Sequence, residues 1–285
     1  MDKKLIKQFL QFQQDEMDGY KIYWTLGTHA KQVENGKILT EMANVELNHA
    51  NLIKKYTQKT LKPNWIKVAF YRLMSWLFGF TFVLKMLEND EGLAKDVYKD
   101  YPELMAFSEE EEKHEEQLIG LINEKRLKYI GSIVLGLNDA LVEFTGALAG
   151  FTLALSNSKL IALTASITAI AGALSMGASE YLSNKTEGNT VSQSLSSAIY
   201  TGLAFIFTVI LLILPFVFIG TPIYALIVTL VIAVLIIAIF NFYYAVVCDK
   251  SFRTRFAEMA VISFSIAAIS FLLGYLLKMF TGIDV

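Results

Sequence analysis

The stretch IGSIVLGLNDALVEFTGALAGFTLAL, residues 130–155, holds no lysine or arginine and only two carboxylates, Asp139 and Glu143. About 20 apolar residues let a helix cross the hydrocarbon core of a bilayer, so this stretch predicts a membrane span. Four more apolar runs follow at roughly 160–182, 197–219, 222–247 and 257–280, joined by short connections at 156–159, 184–194, 220–222 and 249–255. Five spans are expected over residues 130–285.

Charge divides the chain at the same place. Residues 1–129 carry 19 Lys/Arg and 20 Asp/Glu, against 6 and 7 in the remaining 156, so the first part calls for water and the second for lipid. A net charge of -2, with no basic face to neutralise phosphates, argues against nucleic acid as a partner. Cys248 is the single cysteine, which leaves neither an internal disulfide nor a C-x-x-C pair for a rubredoxin-type iron centre. Met1 to Glu16 is charged and lacks the apolar core of a secretory signal, so the N-terminal part is expected in the cytosol. Lys125, Arg126, Lys128, Lys185, Lys250, Arg253 and Arg255 then fall inside, and only Lys159 and Lys278 outside. That is the positive-inside bias, and it sends the C-terminus to the opposite side.

A charge inside a span is costly and usually faces a partner or a water-filled path. Asp139 and Glu143 lie one turn apart, so their carboxylates share a face near mid-membrane. Met176 and Glu180 repeat that spacing near the cytosolic end of the second span, and Glu258 opens the fifth. Carboxylates with a thioether suit a borderline ion such as Fe²⁺ and disfavour Mg²⁺ and Ca²⁺. A hydrogen bond between helices is the structural alternative for the acids, and packing is the alternative for Met176. Small residues cluster beside them: Gly146, Ala147, Ala149 and Gly150, then Gly172, Ala173, Ser175, Gly177, Ala178 and Ser179. They allow close helix approach.

Residues 1–129 read as an all-α, up-and-down bundle with helices near 3–33, 37–60, 74–98 and 102–127, punctuated at Glu34-Asn-Gly36, Leu61-Lys-Pro63 and Asp100-Tyr-Pro102. Glu46-Leu-Asn-His49 lies on the second helix and Glu111-Glu-Lys-His114 on the fourth. The i, i+3 spacing puts carboxylate and imidazole on one face, where both reach one metal. Glu16 and Glu88 complete one Glu from each of two helices and one Glu-x-x-His from each of the others, the di-iron carboxylate pattern. Most of Glu109 to Glu112, Glu115 and Glu116 read as a solvated acidic face, and His29 has no Glu partner.

Trp65 to Leu84 is apolar enough to raise a sixth span, but Lys67 and Arg72 make that costly. A crossing there would also put Glu16, Glu46 and His49 on the opposite side from Glu88, Glu111 and His114. The segment near 62–78 is therefore expected to be amphipathic and interfacial, with Trp65 and Trp76 in the headgroup boundary. An apolar bundle helix touching the membrane part or a second subunit is the other reading.

Gly136-Leu-Asn-Asp139-Ala-Leu-Val142 with Gly146 and Gly150, Gly172-Ala-Leu-Ser-Met176-Gly-Ala-Ser-Glu180-Tyr-Leu-Ser183, and Arg255-Phe-Ala-Glu258-Met with Gly274 resemble, in order, the first, second and last spans of the vacuolar iron transporter family. That resemblance implies a dimer exchanging Fe²⁺ or Mn²⁺ for protons, with Asp139 and Met176 on the ion path. Plant-type members insert a Glu-rich cytosolic domain between the second and third spans, where this chain has only about ten residues. Glu16 followed by Tyr23, then Glu46-Leu-Asn-His49, Glu88-Asn-Asp-Glu91 and Glu111-Glu-Lys-His114, resembles the rubrerythrin and ferritin-like family. It implies iron ligands Glu16, Glu46, His49, Glu88 or Glu91, Glu111 and His114. The combination is similar to the prokaryotic membrane-bound ferritins, which are iron exporters, and implies a prokaryotic cell membrane.

The function expected is export of Fe²⁺, with Mn²⁺ as alternative, by proton antiport, with capture in a cytosolic di-iron domain. A membrane-tethered di-iron oxidase or peroxidase, and a metal sensor or store, are the competing readings.

Overall fold

The computed structural model describes residues 3–30, 32–121 and 129–281, and among them are ten α-helices, one 3-10 turn and no strand. The chain forms two compact units, residues 1–123 and 124–285.

In the first unit, α1 (Lys3–Thr28) and α2 (Val33–Thr57) form one hairpin, and α4 (Phe80–Tyr98) and α5 (Met105–Leu121) the other. Each helix buries one stripe at three- and four-residue spacing: Phe9, Gln13, Glu16, Ile22, Tyr23 and Leu26 on α1, and Leu39, Met42, Glu46, His49 and Ile53 on α2. Polar residues interrupt that stripe midway along each helix, which is the first sign that the bundle centre is built to hold charge. Phe9, Ile53, Tyr98, Leu104 and Phe107 close one end with apolar packing.

The expected turn at Glu34-Asn-Gly36 is not a turn. α1 stops at Thr28 and α2 already begins at Val33, so Gly36 is helical. A Cβ on Gly36 would sit 2.7 Å from the Gly27 carbonyl oxygen, so this glycine is there to let the two backbones meet. The third bundle helix starts at Phe80 rather than near 74. Between the hairpins lies α3 (Trp65–Phe78), capped by the Asn64 side chain, which accepts from the Ile66 and Lys67 amides at 3.0 and 3.4 Å. Gly79 ends it at φ 90°, ψ 168°, a conformation open essentially to glycine. The far end of the expected 102–127 helix, with Lys125 and Arg126, lies outside the described residues, as does Lys128 just beyond it.

The second unit contains five helices long and apolar enough to cross a membrane: α6 (Ile130–Ala154), α7 (Ser158–Thr186), α8 (Val191–Phe218), α9 (Pro222–Val247) and α10 (Phe252–Thr281). This is an integral membrane protein. The polar stretch 184–194 is shorter as a connection than its composition predicts. α7 runs on to Thr186, and α8 starts at Val191 behind a capping box formed by Thr190 and Gln193. α10 likewise begins at Phe252, before the expected 257. Phe144, Leu141, Phe205, Leu212 and Phe216 lie at the centre of the unit's core.

Glycine sets the closest helix crossings here too. A Cβ on Gly136 would lie 2.2 Å from the Thr201 carbonyl oxygen of α8, and one on Gly274 would lie 2.5 Å from that of Gly150. Lys185, Lys250, Arg253 and Arg255 fall at the α7–α8 and α9–α10 ends, whereas Lys278 reaches Ser156 at the other, 3.4 Å away.

Candidate metal centre and membrane carboxylates

Glu16 from α1, Glu46 and His49 from α2, Glu91 from α4, and Glu111 and His114 from α5 converge at the bundle centre, all buried. They form two overlapping groups whose ligand atoms lie within 4.8 Å of one another: Glu16, Glu46, His49 and Glu111, and Glu46, Glu91, Glu111 and His114. Glu46 and Glu111 belong to both. Glu111 turns Oε1 toward His49 Nδ1 at 3.3 Å and Oε2 toward His114 Nδ1 at 3.4 Å. One carboxylate thus offers an oxygen to each half of the site, the posture of a bridging ligand.

Burial without partners marks these atoms as ligands in waiting. Glu16 Oε2, Glu46 Oε1, His49 Nδ1, Glu111 Oε2 and His114 Nδ1 are all buried with no properly aligned hydrogen-bond partner, although His114 Nδ1 and Glu46 Oε1 lie only 3.0 Å apart. Leaving several such groups unsatisfied would be costly, and a pair of divalent ions would satisfy them together. Carboxylates with two imidazoles fit Fe or Mn, and the donor set contains no thiolate.

The outward-facing atoms of the same residues are held. Tyr98 donates to Glu16 Oε1 and Tyr23 to Glu91 Oε1. His49 Nε2 lies 2.5 Å from Glu110, and its ring stacks on Phe107 at 4.1 Å. These contacts orient the side chains, and the Glu110 carboxylate also raises the basicity of the His49 ring. Glu88, the sequence alternative to Glu91, pairs instead with Lys85 one turn away and is not in either group. His29 is exposed and bonds the Thr25 carbonyl at 2.8 Å.

Burial raises Glu46, and the Glu16 and Glu111 carboxylates raise it further. Burial also raises Glu91, helped by Glu111. Burial would lower His49, but the Glu111 and Glu16 carboxylates beside its Nδ1 push it up to about 10. Burial would raise Glu111, but Glu91 and the His114 and His49 imidazoles beside it hold it well below the usual carboxylate range.

Tyr98 and Glu110 escaped the sequence reading. Tyr98 lies seven residues after Glu91 on the same stripe, a signal that was legible. Glu110 sits among acids that read as a solvated face, and nothing in its spacing singled it out.

In the membrane unit, Asp139 is half-buried and Glu143 exposed on α6. Glu143 approaches Gly172 of α7, whose Cβ position would be 3.7 Å from Glu143 Oε2. Nearer the other end of the pair, Ser132 of α6 donates to Glu180 of α7 at 2.8 Å. These two contacts set an antiparallel register that brings Asp139 level with Met176, which packs against the unit's core. Glu180 also accepts from Asn184 at 2.9 Å, so it is pinned. Glu258 is exposed and pairs with Arg255 at 3.2 Å.

Residues 130–196 match the VIT family. The match takes in α6, α7 and the first turn and a half of α8, and therefore Asp139, Glu143, Met176 and Glu180. The match of this segment to the VIT family agrees with metal-ion transport. No curated protein matches the chain.

Proposed function

We propose that this protein moves Fe²⁺, with Mn²⁺ as a second substrate, out of the cytosol in exchange for protons, and that its N-terminal bundle is a ferritin-like di-metal domain that captures the ion. The observation that carries this reading is the pairing of a VIT-family membrane domain with a buried centre whose ligand atoms have no other partner. Glu16, His49, Glu91 and His114 would hold the metal together with Glu46 and Glu111, which belong to both groups. Bound iron or manganese would supply redox and Lewis-acid chemistry there. Tyr98 and Tyr23 fix the Glu16 and Glu91 carboxylates, and the apolar end formed by Phe9, Ile53 and Phe107 keeps bulk water away.

Passage belongs to α6 and α7. Asp139 and Glu143 are incompletely covered within one chain, and carboxylates do not stay exposed to hydrocarbon. A homodimer that brings this face against its counterpart would enclose them in a path where Met176 supplies a soft ligand. The cationic ends Lys185, Lys250, Arg253 and Arg255 support a cytosolic N-terminal unit, and the exposed Trp65, Ile66, Phe70, Leu73, Trp76 and Leu77 of α3 support a place for it at the lipid headgroup boundary.

The experiment is ion flux in proteoliposomes with Fe²⁺ or Mn²⁺ outside and a pH-sensitive dye inside. Metal entry coupled to proton exit supports antiport, and absence of flux with intact metal binding overturns it. The tyrosines beside the centre favour one competing reading, a tethered di-iron oxidase. It predicts oxygen consumption on Fe²⁺ addition without flux.

A further inference from the structure

The bundle centre is reached from one side by a cavity of about 300 Å³. Its deep part is lined by Glu16, Glu46, Glu91 and Glu111, and its walls include Tyr23, Tyr98 and Leu87. At its outer part stand Asp15, Asp90 and Lys67. Asp15 and Lys67 keep 45 % and 38 % of their side-chain surface exposed, and Asp90 is exposed, so these three form the rim.

The rim repeats the chemistry of the floor. Asp15 immediately precedes Glu16 on α1, and Asp90 immediately precedes Glu91 on α4. Each inner carboxylate therefore has an outer carboxylate one residue away, on the opposite walls of one cavity. Asp15 is steadied by the Gln11 amide at 3.1 and 3.2 Å, and Asp90 by the Tyr71 hydroxyl. Facing them is Lys67 of α3, its Nζ 3.7 Å from Asp15 Oδ1. An acidic rim alone would mean little. This one opens onto Glu16 Oε2, Glu46 Oε1 and Glu111 Oε2, buried oxygens with no hydrogen-bond partner.

Resting on the metal-centre reading above, we infer that Asp15 and Asp90 form a transit site for a divalent cation on its way to the centre, and that Lys67 is its gate. The ammonium occupies the place an incoming cation must cross. It offsets part of the rim's negative charge, and its partner interaction is a half-exposed ion pair that is weak enough to exchange. Arrival of a divalent ion displaces Lys67 outward, and the ion then passes from Asp15 and Asp90 to their neighbours Glu16 and Glu91. Because α3 carries Lys67, the gate belongs to the one helix of this unit that is not part of the four-helix bundle.

The test is the rate of Co²⁺ loading into the full-length protein in detergent, followed by the visible absorption of bound Co²⁺ after rapid mixing. Lys67→Met should load about three- to ten-fold faster at low salt, and Asp15→Asn with Asp90→Asn about ten-fold slower, with both differences shrinking at high ionic strength. Lys67→Arg keeps the charge and should load like the wild type, which separates the gate from a folding defect. Loading within two-fold of wild type in both Lys67→Met and the double Asn variant overturns the transit site while leaving the metal centre standing. A wild-type protein that takes up no Co²⁺ overturns the centre itself, and the gate with it.

Discussion

Glu46 and Glu111 differ from the other residues of the proposed centre in one respect that mutation can read. They belong to both halves of the centre, whereas Glu16 and Glu91 each belong to one. Full-length protein loaded with Fe²⁺ or Mn²⁺ should hold about two ions per chain, the di-metal stoichiometry. Glu46→Gln or Glu111→Gln should remove most of both, Glu91→Gln about one, and Glu88→Gln neither, by elemental analysis of the purified protein. Equal losses at Glu46 and Glu91 would refute the bridging assignment.

The same residues make binding depend on pH. Glu46 and Glu91 are raised by burial, and His49 is pushed up to about 10 by its carboxylate neighbours, so an arriving ion competes with protons at these groups. Affinity should therefore rise with pH between about 6 and 8, and calorimetry in buffers of different ionisation enthalpy should register proton release on binding. Flat affinity over that window would mean that binding displaces no protons.

Among the helices, α2 and α3 carry the sharpest tests. Gly36 lets α2 meet α1 where any Cβ would crowd the Gly27 carbonyl. Gly36→Ala usually helps a helix by propensity, but here the steric cost wins, about 1 to 3 kcal/mol. The bundle's thermal transition should fall by several degrees, and an unchanged or higher midpoint would show that the hairpin relaxes freely. In α3, Trp65 is 63 % and Trp76 79 % exposed, which is costly unless lipid covers them. In vesicles, brominated acyl chains should quench the fluorescence of a Trp24→Phe protein strongly, leaving these two as reporters. Quenching no greater than that by an aqueous quencher would place α3 away from the bilayer.

At the scale of the whole molecule, the residues proposed for capture and those proposed for passage lie in two compact units, so the two steps should separate. Asp139→Asn preserves size but removes charge, and is expected to abolish metal flux in vesicles while the bundle's metal content stays at the wild-type level. Met176→Ala should give a milder defect that differs between Fe²⁺ and Mn²⁺. Mutations in the bundle should slow flux at low metal concentration and matter little at saturation. Wild-type flux through Asp139→Asn would make that carboxylate structural and move the path off α6. Five spans also predict that reporters at the two ends of the chain lie on opposite sides of the membrane.

The sequence by itself determined the division into water and lipid, the five long apolar helices, and the Glu-x-x-His spacings, because these depend on composition and helical period alone. It also left Glu88 and Glu91 as third-helix candidates, one turn apart and indistinguishable by period. Tertiary structure separated their surroundings, since only the packing of α4 against α5 and α1 brings Glu91 under Tyr23 and beside His114 while Lys85 takes Glu88. It decided the role of Gly36 as well. A glycine after Asn reads as a turn in one dimension, and only the approach of a second backbone shows that its missing side chain serves a helix crossing. The Lys67 rim was hidden for the same reason, because it joins α1, α3 and α4, whose residues are far apart in the chain and adjacent only once the bundle has closed.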